Sequence, residues 1–469
     1  MSRAIQLART ACYTRARFPK VNTQSLLRGN RLTRRLFTSI AICVCVLTAP
    51  RVVRAQDVPL SDLLPELINA DIFLAPPPAG FQSHATHFVP GADQQNVPYF
   101  FNQQLILQLG TFPLGSPSGG FSYSFDSSTG TFQRSTQTFG PAFAERALTI
   151  GKKRFSVGAN FQYSKYTTFE GAQLDNGEVK FYLHHASVTT PPAFFEGDLI
   201  EVALNLEVSS NTTTLFANYG LTNAWDVAIA VPIQHVSMDA SVDATVLRVA
   251  TGATSPIHTF PNGTTEQTFT SSGSASGIGD ILLRTKYRFL SMKGGGLAAG
   301  VDFRLPTGDE QNLLGTGSTQ ATFTFIGSSA YGKFAPHYNL AYTASTEGNV
   351  DDNIPAISDE FDYKFGTEFG VSPTITLSAD FIGRTLIDSG RLQFGNNTYN
   401  YMSAAGVPGS ITVNELNTTD KSLNLTSLVV GGKFNVAGNL LINANVLFSL
   451  GSRGVTAPVT PVIGAEYSF

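Results

Sequence analysis

The sequence predicts an all-β protein, a transmembrane antiparallel up-and-down β-barrel of about 14 strands (12 to 16 admissible), preceded by a plug-like or periplasmic N-terminal segment. Three observations predict it. Beyond residue 150 the apolar side chains recur at every second position, the signature of strands with two unlike faces. Short turns alternate with long polar connections, as in outer-membrane barrels. The chain also ends in an alternating run closed by an aromatic residue, Phe469.

Residues 1–55 are expected to be a secretory signal. Leu36 to Ala49 is mostly apolar, follows Arg31, Arg34 and Arg35, and leads to Val53-Arg54-Ala55, which fits a signal-peptidase site before Gln56. The run is too short to span a bilayer as a helix. Thr33-Arg34-Arg35-Leu36-Phe37 resembles a twin-arginine export signal, and the long acid-free leader also fits an organellar transit peptide. This segment holds eleven of the 31 basic residues, none of the 34 acidic ones and all three cysteines. The other 414 residues therefore carry a net charge of −14 and no thiol. A disulfide scaffold and a thiolate metal site are excluded there, and an acidic surface disfavours nucleic-acid binding.

Residues 56–150 differ in character. Asp62 to Ile68 suits one short amphipathic helical turn, Pro76-Pro77-Pro78 follows, and Gly119 to Asp126 suits a hairpin strand turning at residues 127–130. Two readings stand side by side: a plug inside a barrel lumen, or a periplasmic extension with one or two extra strands.

Residues 151–469 supply the barrel. Phe155, Val157, Ala159, Phe161 and Tyr163 alternate with Ser156, Gly158, Asn160, Gln162 and Ser164, and the pattern returns from Ile200 to Val208 and from Trp225 to Ile233. Strands are expected to start near residues 154, 178, 198, 212, 224, 278, 296, 320, 336, 359, 373, 421, 438 and 457, with long loops near 237–277, 306–319, 346–358 and 386–420. A tight turn at Ser372 would set Lys364 opposite Asp380 and Glu360 opposite Arg384, and a turn at Lys293 would set Arg284 opposite Asp302. Opposite charges facing one another support register and suit a polar lumen. Arg284, Asp302, Arg304, Lys364, Asp380 and Arg384 are thus the candidate lumen residues, shaping pore and field as rings of charge do in channels. The face of Ala321 to Tyr331 is ambiguous: Phe323, Phe325 and Tyr331 would line an apolar path if inward and touch lipid if outward.

The C-terminal run Thr460 to Phe469 sets Gly464, Tyr467 and Phe469 as Gly-x-x-aromatic-x-Phe, which resembles the signal read by the barrel-assembly machinery; Val462 stands where that signal usually has a polar residue. Three stretches, Tyr219 to Pro232, Gly277 to Tyr287 and Leu305-Pro306-Thr307-Gly308-Asp309, resemble the outer-membrane barrel family named for the meta-pathway of phenol degradation. The resemblance spans roughly residues 200–469 and implies a transporter-like channel. Its general plan is similar to that of the fatty-acid outer-membrane transporters, with fourteen strands and an N-terminal hatch.

No catalytic motif accompanies these features. His84-x-x-His87 lacks a carboxylate partner, His235 and His337 lack a nucleophile motif, and Gly277-x-Gly279 lacks the third glycine of a dinucleotide loop. Asp309-Glu310, Asp351-Asp352-Asn353 and Asp359-Glu360 suit solvated loop charge better than calcium sites. The expectation is a non-enzymatic protein of the bacterial outer membrane, without metal or cofactor, passing small hydrophobic or aromatic solutes passively. Its expected partners are membrane lipids, lipopolysaccharide, the barrel-assembly machinery and the solute. The competing expectation is a structural or adhesive barrel whose loops do the work.

Overall fold

Alternating segments with bulky residues on one face pair edge to edge until no edge is left, and here the ring closes with twelve strands. The structure, a computed structural model, describes residues 58–69, 72–76, 78, 88–90, 97–111, 120–126, 131–185, 193–252, 255–292, 294–346, 357–419 and 421–469. The expected signal segment, His84, His87, Lys293, Asp351 to Asn353 and the turn at 127–130 lie outside the described residues. The barrel strands are β1 (Phe155–Tyr166), β2 (Leu199–Gly220), β3 (Trp225–Leu247), β4 (Ile281–Met292), β5 (Gly295–Leu305) and β6 (Gln320–Ser328). They continue with β7 (Phe334–Ser345), β8 (Glu360–Ser372), β9 (Ile375–Leu386), β10 (Leu423–Ala437), β11 (Leu440–Ser449) and β12 (Val459–Ser468). Neighbours in this order pair antiparallel, and β12 returns to β1 with Tyr467 opposite Val157 and Val462 opposite Gln162. The turns at 221–224, 329–333, 373–374 and 438–439 share one end with the C-terminus, which is the periplasmic end by the short-turn rule.

The expected fourteen strands become twelve for a specific reason. The starts near 198 and 212 belong to one strand, β2, of 22 residues, and the strand near 178 (Val179–His185) stands outside the ring, paired with the outer half of β2 on one side and with Phe88–Pro90 on the other. Along β2 the apolar face changes parity. Ile200, Val202, Leu204, Leu206 and Val208 are buried at even positions, whereas the even positions that follow are Ser210, Thr212 and Thr214 and the apolar side chains move to Leu215, Ala217 and Tyr219. β3 mirrors this, with Trp225, Val227 and Ile229 outward near the periplasmic end and Val236, Met238, Val242 and Val246 buried farther on. Parity reverses where lipid outside the wall gives way to a protein core. A strand of this length runs roughly 75 Å, or roughly 55 Å along the barrel axis when tilted by about 40°, against an apolar band of about 25 Å.

The surplus length builds a cap. The strand Glu266–Ile278 pairs with β3 from Thr245 to Ile233, inside what was expected to be the 237–277 loop. A hairpin of Arg391–Met402 and Pro408–Thr419 occupies the expected 386–420 loop. Helices α1 (Leu63–Asn69) and α2 (Val97–Gly110) complete the cap: Leu64, Leu67, Phe101, Leu105 and Ile106 join Val202, Leu204, Met238, Val242, Leu392 and Leu416 in one buried cluster. α1 matches the expected short helix. α2 is buried nearly all round, Asn102, Gln103 and Gln104 included, as befits a helix with no solvent stripe.

The barrel exterior is apolar. Trp225, Tyr287, Tyr331, Phe334 and Phe469 are exposed toward the periplasmic end, and Phe323, Tyr342, Phe361 and Phe365 farther up. Phe323, Phe325 and Tyr331 are 57%, 39% and 71% exposed, so they point outward and the ambiguous segment is lipid-facing. A charge at such a position costs about 2–4 kcal/mol near mid-membrane. Phe323→Arg is accordingly expected to lower the unfolding free energy in urea titrations by that amount, and an unchanged value would mean the side chain does not meet lipid.

Candidate functional site in the barrel lumen

Because side chains alternate across each strand, the even positions of β4, β5, β8 and β9 and the odd ones of β7 and β10 face the lumen together. Arg284 sits opposite Asp302 as the sequence suggested. Its guanidinium binds that carboxylate through two nitrogens, with Nε 2.6 Å from Oδ1, and donates to Glu145 Oε1 at 2.6 Å. Lys286 lies two residues along the same face. Its ammonium donates to the carbonyls of Arg146 and Leu148 at 3.1 and 3.0 Å and lies 3.4 Å from Glu145 Oε2.

Residues 139–150 are buried throughout and hydrogen-bond to lumen-facing side chains instead of a strand ladder. Phe139 N–H donates to Thr376 Oγ1 at 3.1 Å and Gly140 N–H to Glu368 Oε2 at 2.9 Å. Asp380 Oδ2 accepts from Ala142, Phe143 and Ala144 N–H at 3.2, 3.1 and 3.4 Å. Asn339 brackets Glu145, accepting from its N–H at 2.7 Å and donating to its carbonyl at 2.9 Å. Ala147 and Ile150 N–H reach Ser328 Oγ and Asp226 Oδ2, both at 3.0 Å. Upstream, Gly120 N–H is held by both carboxylate oxygens of Glu466, at 2.9 and 2.8 Å. The segment thus follows the inner wall from β12 and β9 to β3. Buried N–H groups demand acceptors, and here β-strand side chains supply them.

The expected pairing between β8 and β9 is corrected by two residues. Their turn is Pro373-Thr374 and a bulge lies at Gly370/Ser372, so Arg384 faces Asp362, Asp380 faces Gly366 and Lys364 faces Ile382. Parity survives such a shift, so every one of these residues keeps its predicted face. Arg384 still reaches Glu360 diagonally, with Nε 2.5 Å from Oε1, and stands 3.8 Å from Asp362. Lys364 and Asp380 are not partners: Asp380 takes His337 Nε2 at 2.8 Å instead. Gly366 makes room for that pair, because a Cβ there would collide with Asp380 Oδ1 and His337 Nε2. Gly464 likewise sits against Asn160 and Asn443, which leaves no space for a side chain.

Five of the six candidate residues therefore converge, while Asp380 belongs to the contacts with residues 142–144. Arg284, Asp302 and Lys364 line both of two adjoining cavities of about 70 and 100 Å³, with Arg304 and Arg384 on the larger. The charges around the two cavities are Arg284, Lys286, Arg304, Lys364 and Arg384 against Glu145, Asp302, Glu360 and Asp362. The lumen candidates read from the sequence leave out Glu145, Lys286, His337, Glu368 and Glu466. Alternation puts Glu368 on the polar face with Asp362 and Lys364, and parity would have found Lys286, two positions from Arg284. Glu145 lies in a stretch whose backbone bonds follow no period.

Residues 197–455 match the sequence profile of a family described as the putative MetA-pathway of phenol degradation. The chain belongs to that family. No curated protein sequence matches it. The family segment includes the wall from β2 to β11, and with it the candidate lumen residues and most of the carboxylates that hold residues 139–150. Among solved structures, a Pseudomonas aeruginosa FadL homologue is 10% identical with a TM-score of 0.29, covering 69% of this chain and 90% of that one. The Ralstonia pickettii toluene transporter TbuX is 11% identical with a TM-score of 0.26, covering 68% and 90%. The P. putida toluene transporter TodX is 10% identical with a TM-score of 0.28, covering 68% and 89%. The described residues of this family member form a β-barrel with a closed wall, an apolar exterior and a polar interior.

Proposed function

We propose that the protein is an outer-membrane channel that admits small aromatic or otherwise hydrophobic solutes passively, and that residues 56–150 form its plug. Residues 1–55 are its cleaved signal, and Gly464, Tyr467 and Phe469 its assembly signal. The observation that carries the reading is the way residues 139–150 are held, by side chains of the wall and not by a ladder. Such a segment can loosen from the wall without breaking any strand pairing, which a structural filler would not need. The family's description supports an aromatic solute.

A structural or adhesive barrel is the second reading. It is favoured by the ion-paired lumen, in which Arg284 and Arg384 are each neutralised by carboxylates, and by the large cap. Flux through liposomes decides between them. Reconstituted protein is expected to pass aromatic acids or alkanes while excluding sugars; no flux of any of these, including through protein whose plug has been loosened by substitution at Asp380, would favour the second reading.

A further inference from the structure

Two cations of the lumen cavities stand apart from the rest. Arg284, Lys286 and Arg384 each have a carboxylate within 4 Å, whereas among the described residues Lys364 and Arg304 have none. Arg304 uses one nitrogen on the Gly110 carbonyl, at 2.7 Å. Lys364 lines both cavities and makes no hydrogen bond to any described residue, so its ammonium is the uncommitted donor of the chamber. The charges around the chamber number five cations against four carboxylates. Glu360 and Asp362 act on this ammonium only at longer range, and an anion in direct contact would give it the bonded partner they do not.

The same chamber has an apolar side. Phe143, Ile326 and Ala341 line the smaller cavity together with Thr322 and Thr324. The two cavities share Arg284, Asp302, Thr322, Asp362 and Lys364, so they adjoin, and their volumes of about 70 and 100 Å³ together match a space that accepts a benzene ring, about 150 Å³ in a soluble protein. We infer that this chamber is a binding site for a small aromatic monoanion, a carboxylate or phenolate. Its charge meets Lys364, with Arg304 nearby, and its ring lies against Phe143, Ile326 and Ala341. The inference rests on the channel reading for its physiological sense: it names the class of solute that pauses in the lumen. A neutral hydrocarbon would offer the ammonium no hydrogen-bonding partner, which disfavours it here.

The test is equilibrium binding to the folded, exported protein in detergent micelles, with benzoate and its neutral counterpart benzyl alcohol as probes. Benzoate is expected to bind about 10-fold or more tightly than benzyl alcohol, the margin a charge-assisted hydrogen bond supplies. Lys364→Gln should remove that margin and leave benzyl alcohol unchanged; Lys364→Arg should keep it; Lys433→Gln, on β10 and outside the chamber lining, should not alter it. The heat-dependent gel shift of each variant reports that it is folded. Equal binding of the two probes, or a margin that survives in folded Lys364→Gln, overturns the inference. Because micelles offer nothing to cross, the result is separable from the flux experiment. Benzoate binding without flux would sink the channel reading alone, and flux of neutral solutes without selective benzoate binding would sink the aromatic-anion site alone.

Discussion

Asp380→Ala is expected to convert a closed pore into a conducting one. In the intact protein this single carboxylate accepts three consecutive N–H groups, those of Ala142, Phe143 and Ala144, while its other oxygen holds His337 at 2.8 Å. Removing it leaves those donors in a buried setting with no acceptor. Hydrogen bonds to a charged group contribute about 1.5–3 kcal/mol each, and orphaned buried donors add to the loss. A combined loss of at least about 3 kcal/mol shifts the ratio of seated to released segment by roughly a hundredfold. The measurement is ion current through single proteins in a planar bilayer. Long closed intervals in the unaltered protein should give way to sustained conductance in Asp380→Ala, with Asp380→Asn between the two because it keeps one acceptor oxygen. Identical currents in all three would show that residues 139–150 do not gate the lumen.

Arg284→Ala should carry the largest cost in stability. The guanidinium joins Asp302 and Glu145, whose side chains are each only 9% exposed. Removing one partner of a buried ionic group costs about 3–5 kcal/mol, chiefly because the carboxylates left behind stay desolvated. Glu145 retains Lys286, so Asp302 bears most of the loss. The urea-unfolding midpoint of Arg284→Ala should fall accordingly, and Arg284→Met combined with Asp302→Asn should recover a large part of it. A coupling below about 0.5 kcal/mol in this double-mutant cycle would mean that the two residues act independently.

These expectations draw on features of unequal visibility in the sequence. Parity alone located the lumen face: Arg284, Asp302, Arg304, Lys364, Asp380 and Arg384 all lie on it, since a strand offers only two directions. Partner identity was less secure. Arg284 and Asp302 were found, but the β8–β9 turn falls later than Ser372, and a two-residue slip exchanges partners without exchanging faces. The change of parity in β2 is legible too but reads as a break between strands, because a strand ordinarily keeps one apolar face. Thr212 to Thr214, β-branched and mid-strand, could have argued for continuity. α2 left no trace, since its described side chains are buried nearly all round and so show no period to detect. The course of residues 139–150 was beyond sequence reasoning, because the backbone N–H groups from Phe139 to Ile150 that are held by side chains each depend on one more than 70 positions away.

The places of α2 and of residues 139–150 impose an order on assembly. Gly110 and Thr111 contact Arg304 and Arg384 near the outer mouth. Gly120 is already bound to Glu466 near the inner rim, and β1 begins only after the chain has run along the inner wall. Described residues 110–111, 120–126 and 139–150 therefore lie within the cylinder that the later part of the chain forms. Placing them there after the ring had closed would require pulling chain through it. Closing the seam between β1 and β12 around a chain already in position requires no such passage. The strand of the ring that comes last in chain order, β12, is also the one that completes the enclosure, so closure is a kinetic commitment: once Tyr467 has found Val157, the contents of the cylinder are settled.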